Sequence, residues 1–200
     1  MTVHATLANP LQRASFITSF LLLGTALTGC STGNASSAPE NLCGMKVDKP
    51  LYAPLFPSGK KVTETGGFTN QDAYAAQSGS RQSCYYWVDG KIAVSLYTWS
   101  ADSTSGQPKA SIANVAHDDD AASNFRKIDG KYDSASWNGG EGKTSGAVTG
   151  CPIPQKQGEE QYSLLIRRID GTSKDEQVLR KLINPAMQAL LDMRPCQKSN

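Results

Sequence analysis

Hydrophobic and polar positions divide the chain into segments of different period. Phe16–Leu27 (FITSFLLLGTAL) is an unbroken, mostly apolar run. A bilayer-spanning helix needs about 20 such residues, so this run is too short to cross and has the length of a secretory h-region. Ser31–Asn41 (STGNASSAPEN) is small, polar and without period, the pattern of a flexible tether. The clearest alternation follows. Ser83–Val88 and Lys91–Trp99 flank Asp89-Gly90, which predicts a hairpin with a type I′ turn. A two-residue loop pairs Val88 with Lys91 and gathers Tyr85, Trp87, Ile92, Val94 and Leu96 on one face. Cys84, Tyr86, Ala93, Ser95, Tyr97 and Trp99 fall on the other. Composition makes the first face the expected core, with the partner of Cys84 arriving on the second.

Weaker patterns surround this hairpin. Pro50–Phe56 predicts a short helix behind Asp48, with Leu51, Leu55 and Phe56 inward and Pro57-Ser58-Gly59 ending it. Lys60–Ser83 reads as a long loop with room for a short strand at its end, and Ala110–Lys127 as a ragged helix. Ser134–Trp137 and Thr144–Cys151 read as strands around a Gly-rich turn, and Gln161–Ile169 (QYSLLIRRI) as a strand dense in apolar side chains. Ser173-x-x-Glu176 has the form of a capping box. Leu179, Leu182, Ile183, Ala186, Leu190 and Met193 then keep helical spacing, with a kink or a second helix expected at Asn184-Pro185. Strands outnumber helices and run as hairpins. The fold class is therefore α+β, an antiparallel sheet with helices packed on it.

Length and charge narrow the picture. Without residues 1–29, 171 of the 200 residues remain, enough for one domain over 42–200. That part carries 19 basic and 18 acidic side chains, which leaves no electrostatic footprint for nucleic acid. Five cysteines occur, at 30, 43, 84, 151 and 196. If Cys30 is modified, the remaining even set in an exported domain predicts two disulfides. Four cysteines allow three connectivities, and spacing does not choose among them. Cys43–Cys84 with Cys151–Cys196 is the expected pairing, each bond stapling one half of the chain to itself.

The end of the apolar run gives Cys30 its assignment. Leu27-Thr28-Gly29-Cys30 resembles the lipobox of bacterial lipoproteins, in place behind a leader with Arg13 and no carboxylate. The resemblance implies a signal peptide over 1–29, cleavage before Cys30, and acyl chains (palmitate among them) on that cysteine. Residues 30–41 would then be lipidated cysteine and tether. Two acyl chains anchor stably where one holds only marginally. The membrane is thus an expected partner, and the expected location is extracytoplasmic, on the cell membrane.

Candidate chemistry is sparse. His117-Asp118-Asp119-Asp120 groups an imidazole with three carboxylates but lacks the alternating, Gly-containing spacing of a calcium loop. Gly142-Lys143-Thr144 ends like a phosphate loop, yet Trp137 stands where that pattern needs glycine. No Gly-x-Ser-x-Gly occurs, and His117 is the one histidine beyond the leader. The expectation is no catalytic residue, no metal and no cofactor. Tyr86, Tyr97 and Trp99, on the second hairpin face, are the candidates for a ligand groove.

The lipobox, Cys43-Gly44, Leu51-Tyr52-Ala53-Pro54-Leu55-Phe56-Pro57, the cysteine entering the Asp-Gly hairpin and the cysteine closing the last helix together resemble exported actinobacterial lipoproteins of unknown function. The folded part is similar to the extracellular sensor domains of mycobacterial receptor kinases, disulfide-stapled α+β domains with a cleft. The resemblance implies a displayed domain that binds a small molecule, peptide or envelope protein. An accessory protein of an envelope complex and an extracytoplasmic enzyme are the alternative classes.

Overall fold

Asp89 and Gly90 both adopt left-handed backbone (φ 50° and 78°), as a type I′ turn requires. Glycine takes this region without steric cost, and aspartate is among the few other residues that tolerate it. The strands on either side are the first of two meanders. In the computed structural model the described residues are 38–68, 81–102, 111–119, 122–152 and 159–193. Helix α1 (Lys49–Tyr52) runs into a 3₁₀ turn (Ala53–Leu55). Strands β1 (Val62–Gly66), β2 (Arg81–Val88) and β3 (Lys91–Asp102) follow, then helix α2 (Ile112–His117). The second meander is β4 (Ser123–Ile128), β5 (Asp133–Gly139), β6 (Gly142–Pro152) and β7 (Glu159–Ile169), before the long helix α3 (Ser173–Met193).

One antiparallel seven-stranded sheet results, ordered β1-β2-β3-β7-β6-β5-β4. The two meanders join at its centre, where β3 pairs with β7 over Val94–Asp102. The domain is thus α+β, with a large sheet and few helices. A long apolar strand such as β7, placed centrally, buries both faces: Tyr162, Leu164 and Ile166 on one, Leu165 on the other.

The hairpin turn is where expected, but its faces are not. Val88 pairs with Lys91 and Trp87 with Ile92, and then Tyr86 pairs with Val94. Ala93 is the extra residue of a β-bulge, its carbonyl accepting a hydrogen bond from Arg168 (2.9 Å). A one-residue insertion moves every later side chain to the opposite face. Val94 and Leu96 therefore join Cys84 and Tyr86, and these four are fully buried beneath α3 and the N-terminal segment. Tyr85, Ser95 and Tyr97 are left on the other face. The bulge puts Val94 and Leu96 with Cys84 and Tyr86 and leaves Ile92 with Trp87, where an unbroken register would have kept Ile92, Val94 and Leu96 together. Strict alternation puts the last helix on the Trp87-Ile92-Val94 face and Cys43 on the opposite one; α3 and Cys43 instead both approach on the side of Cys84.

Cys43 and Cys84 form a disulfide, with their Cα atoms 6.0 Å apart. Cys43 (φ 54°) sits in a tight turn closed by reciprocal Leu42 and Met45 backbone hydrogen bonds. The buried Tyr86 hydroxyl accepts from the Cys43 N–H (2.5 Å) and donates to the Asn41 carbonyl (3.2 Å). Burial pushes that phenol far above its ordinary pKa, so it stays neutral and keeps its donor. One disulfide is present among the described residues rather than two. The expected Cys151–Cys196 bond lies outside them, since Cys196 is not described.

Several boundaries also differ from expectation. Among the described residues of the predicted helix over Ala110–Lys127, Ile112–His117 is helical, and Ser123–Ile128 is an edge strand. Part of the predicted loop over Lys60–Ser83 is β1. Behind Asp48 the helix has no side-chain cap; Tyr52 is buried with Leu55 and Phe56, while Leu51 is only partly so. At α3 the cap lies one residue earlier than Ser173: Thr172 and Asp175 cap each other reciprocally (2.7 and 3.4 Å). α3 is one helix through Pro185. Pro185 and Lys181, whose carbonyl loses its amide partner, are both on the exposed side, where water can serve that carbonyl.

Candidate functional site

Among the described residues, the sheet face away from α3 is covered at one end by a helix. Helix α2 seats Ile112, Val115 and Ala116 against Ala135, Trp137, Val148 and Leu165. Gly146 makes this possible: a Cβ there would lie 2.4 Å from Leu165 and 2.8 Å from Ile112. Asp133 holds the helix in place by accepting the Ile112 N–H (2.9 Å) while its carboxylate pairs with Lys127. Partial burial alone would raise the Asp133 pKa. The Lys127 hydrogen bond, the Ile112 N–H and the Lys127 charge outweigh it and hold the carboxyl below its ordinary value. A depressed carboxylate stabilises the fold above its unfolded pKa, and this contribution disappears as pH falls through the folded value. We therefore expect Asp133→Asn to lower the melting temperature at pH 7, with the deficit closing below about pH 4. Parallel thermal melts across pH would check it, and a deficit independent of pH would assign the effect to lost packing.

Beyond α2 lies a polar cluster. Arg167 on β7 donates to Asp119 (2.6 Å), and its Nε donates to the Thr144 hydroxyl (3.1 Å). The Trp137 indole also donates to Asp119 (2.6 Å), while Glu141 stands 3.6 Å from Arg167. Asp119 and Arg167 are largely buried and satisfy each other. The carboxylate run is thus divided. Asp119 ties the end of α2 to the sheet, His117 and Asp118 are solvent-exposed, and Asp120 lies outside the described residues. Lys143, in the segment resembling a phosphate loop, donates to Asn138 (2.6 Å) and pairs with Glu176 (3.6 Å). Gly140-Glu141 is the two-residue turn between β5 and β6, with Gly139 and Gly142 paired across it.

At the other end of this face, over β1, β2 and β3, aromatic rings stand half-buried. Tyr85 and Tyr97 meet edge to face (5.8 Å), and the Arg81 guanidinium lies over the Tyr97 ring (5.3 Å). Burial raises the Tyr97 phenol pKa above its ordinary value. Trp87 donates from its indole to the Thr65 hydroxyl (2.9 Å) and lines an open groove of about 380 Å³. Lys61, Thr63, Thr65, Asp89 and Gly90 complete the lining. Asp89 is paired with Lys60 (2.8 Å), and Lys61 has no ion pair among the described residues.

The three groove candidates are therefore not one site. Tyr86 lies on the α3 side, buried and bonded to the disulfide turn, so its assignment to a groove is corrected. Tyr97 and Trp99 lie on the opposite face, partly packed against the α2 cluster. Trp87 and the β1 threonines were missed because strict alternation placed Trp87 in the core. Val62–Gly66 (VTETG) carries three β-branched residues but no apolar–polar alternation, and nearly all of it is exposed, so the pattern does not mark it as a strand. Cys30 lies outside the described residues. Among the described residues no helix is long and apolar enough to cross a membrane, and no three His, Cys, Asp or Glu side chains cluster as a metal site.

Fold and face define an α+β domain with its long helix on one side of the sheet and a ring-bearing, partly open face on the other. Compared with known families, curated proteins and solved structures, the chain has no match.

Proposed function

We propose that this chain is a lipid-anchored binding domain displayed outside the cytoplasmic membrane, holding a partner rather than transforming it. The observation that carries the binding half is the groove beside Trp87, an aromatic ring set among hydroxyl and charged groups on a rigid sheet. It is open along one side, unlike the enclosed pockets that bury most of a small molecule. That shape suits a partner with a surface of its own. The anchoring half is supported by the Leu27-Thr28-Gly29-Cys30 motif, and the buried Cys43–Cys84 bond suits an oxidising compartment.

Anchoring is tested at Cys30. In the parent chain expressed in a lipidating bacterial host, labelled palmitate should be incorporated and the protein should enter the detergent phase on phase separation. Cys30→Ala removes the sulfur that would carry the diacylglycerol, and the product should move to the aqueous phase with label incorporation abolished. Undiminished label in that variant would reject the reading.

A further inference from the structure

The sheet has two ends, and they are built differently. At one end β4 is interrupted: its pairing with β5 shifts between Ser123 and Arg126, and Asn124 is left-handed (φ 55°). A bulge and the basic side chains Arg126 and Lys127 are the devices that blunt an edge against strand addition. At the other end β1 pairs with β2 over five consecutive residues with no shift, Val62↔Val88 through Gly66↔Cys84. Among the described residues no strand lies on its outer side.

The outward groups can be identified. The Gly67 N–H donates to the Ser83 carbonyl, so this pair is one of the hydrogen-bonded pairs of the ladder. Such pairs alternate with non-bonded ones in an antiparallel ladder. Thr65 and Thr63 therefore turn their backbone groups toward β2, while Val62 and Glu64 turn theirs outward; Gly66, with left-handed backbone (φ 79°), ends the row. Side chains alternate between faces with the same period. Lys61, Thr63 and Thr65, every second residue, are the ones that line the groove with Trp87. An available row of backbone donors and acceptors thus runs beside a groove shaped by alternate side chains of the same strand.

We infer that β1 is a docking edge for an extended polypeptide segment, which adds to the sheet as an eighth strand. Main-chain bonds to Val62 and Glu64 supply affinity, and the groove reads alternate side chains of the incoming strand. The partner is a segment with a large apolar residue and an acidic residue two positions apart. The apolar side chain lies across Thr63 onto the Trp87 ring, and the carboxylate meets Lys61, which has no acidic partner among the described residues. A second copy of this chain fits less well, since edges paired about their middle residue would set Glu64 against Glu64. This rests on the binding reading above and names its partner class.

The probe is a randomised dodecapeptide library displayed on phage, selected against the purified full-length chain carrying Cys30→Ala. Peptides with an acidic residue and a large apolar residue two positions apart should be enriched. Made synthetically, they should lose affinity by about tenfold or more when N-methylated at alternate positions of one parity, and little at the other. This leaves the protein untouched. Glu64→Pro, which removes an outward N–H without breaking a β1–β2 bond, should weaken binding similarly, and Lys61→Glu should reverse the preference for acid. Enriched peptides indifferent to the parity of N-methylation would overturn the edge while leaving a binding domain. Failure to enrich any peptide would overturn the polypeptide partner while leaving the Cys30 anchor, which the palmitate and detergent assays decide separately. Edge-to-edge dimers of the chain that block peptide binding and dissociate on Glu64→Pro would overturn the foreign partner in favour of a second copy.

Discussion

Cys43→Ala with Cys84→Ala lowers the unfolding free energy by ~4 kcal/mol on the chain-entropy view of a loop of this length. The two cysteines are 41 positions apart, so the bond closes a long loop of the unfolded chain. In the native state it fixes the Leu42–Met45 turn and α1 onto β2, where Leu42, Met45, Tyr52 and Tyr86 are all fully buried. Urea unfolding under non-reducing conditions measures the effect as a lower midpoint at constant slope. An unchanged midpoint would show that packing of the N-terminal segment holds it without the bond. A larger loss, with Tyr52 newly accessible to quenchers, would show that the segment detaches.

Leu182→Ala costs ~2–5 kcal/mol, the range for a fully buried leucine whose surroundings relax only in part. Leu182 is 0 % exposed and belongs to the large cluster that joins α3 to Val94, Leu96, Leu164 and Ile166. Phe125→Ala is the matched control. That ring is 41 % exposed on the β4 edge, resting against Trp137 at 6.5 Å between centroids. Its loss should cost under about 1 kcal/mol. Chemical denaturation of the two variants and the parent gives the comparison, and equal losses would mean that α3 does not dominate the core.

The aromatic surface shows how local patterning can locate residues and still misplace them. Tyr85, Tyr86, Trp87, Tyr97 and Trp99 stand out in the sequence, and all five lie on the central hairpin. Their sorting depended on one residue. With strict alternation Trp87 and Val94 share a face; with Ala93 bulged they do not. The seat of α3 and the groove changed together, because they were tied to the same parity, while the disulfide stays on the face that Cys84 shares with Tyr86. The bulge has no distinct local sequence mark. Ala93 is an ordinary strand residue, and what stabilises its displaced carbonyl is Arg168, 75 positions away.

Asp119 gives the complementary case. In the sequence it is one of three adjacent aspartates near a histidine, a group suggesting a cation site. In the structure it is singled out by Arg167 and the Trp137 indole, from β7 and β5, while Asp118 points to water. The partners of a carboxylate are set by strands that reach it through space, and no spacing along the chain encodes them.

What the sequence alone determined is what neighbouring residues decide. The Asp89-Gly90 turn follows from backbone sterics at two residues. The position of the last helix follows from a cap and an apolar stripe within it. The α+β class follows from counting strand-like and helix-like periods. The tertiary structure decided what pairs of distant segments decide. These are the junction of the two meanders at β3 and β7, the bulge, the face that each ring occupies, and which strand is left at an edge. The reason is energetic. A turn or a cap gains its few hydrogen bonds locally, whereas the choice of sheet face is set by total apolar burial over the sheet. One inserted residue shifts that burial for every side chain beyond it.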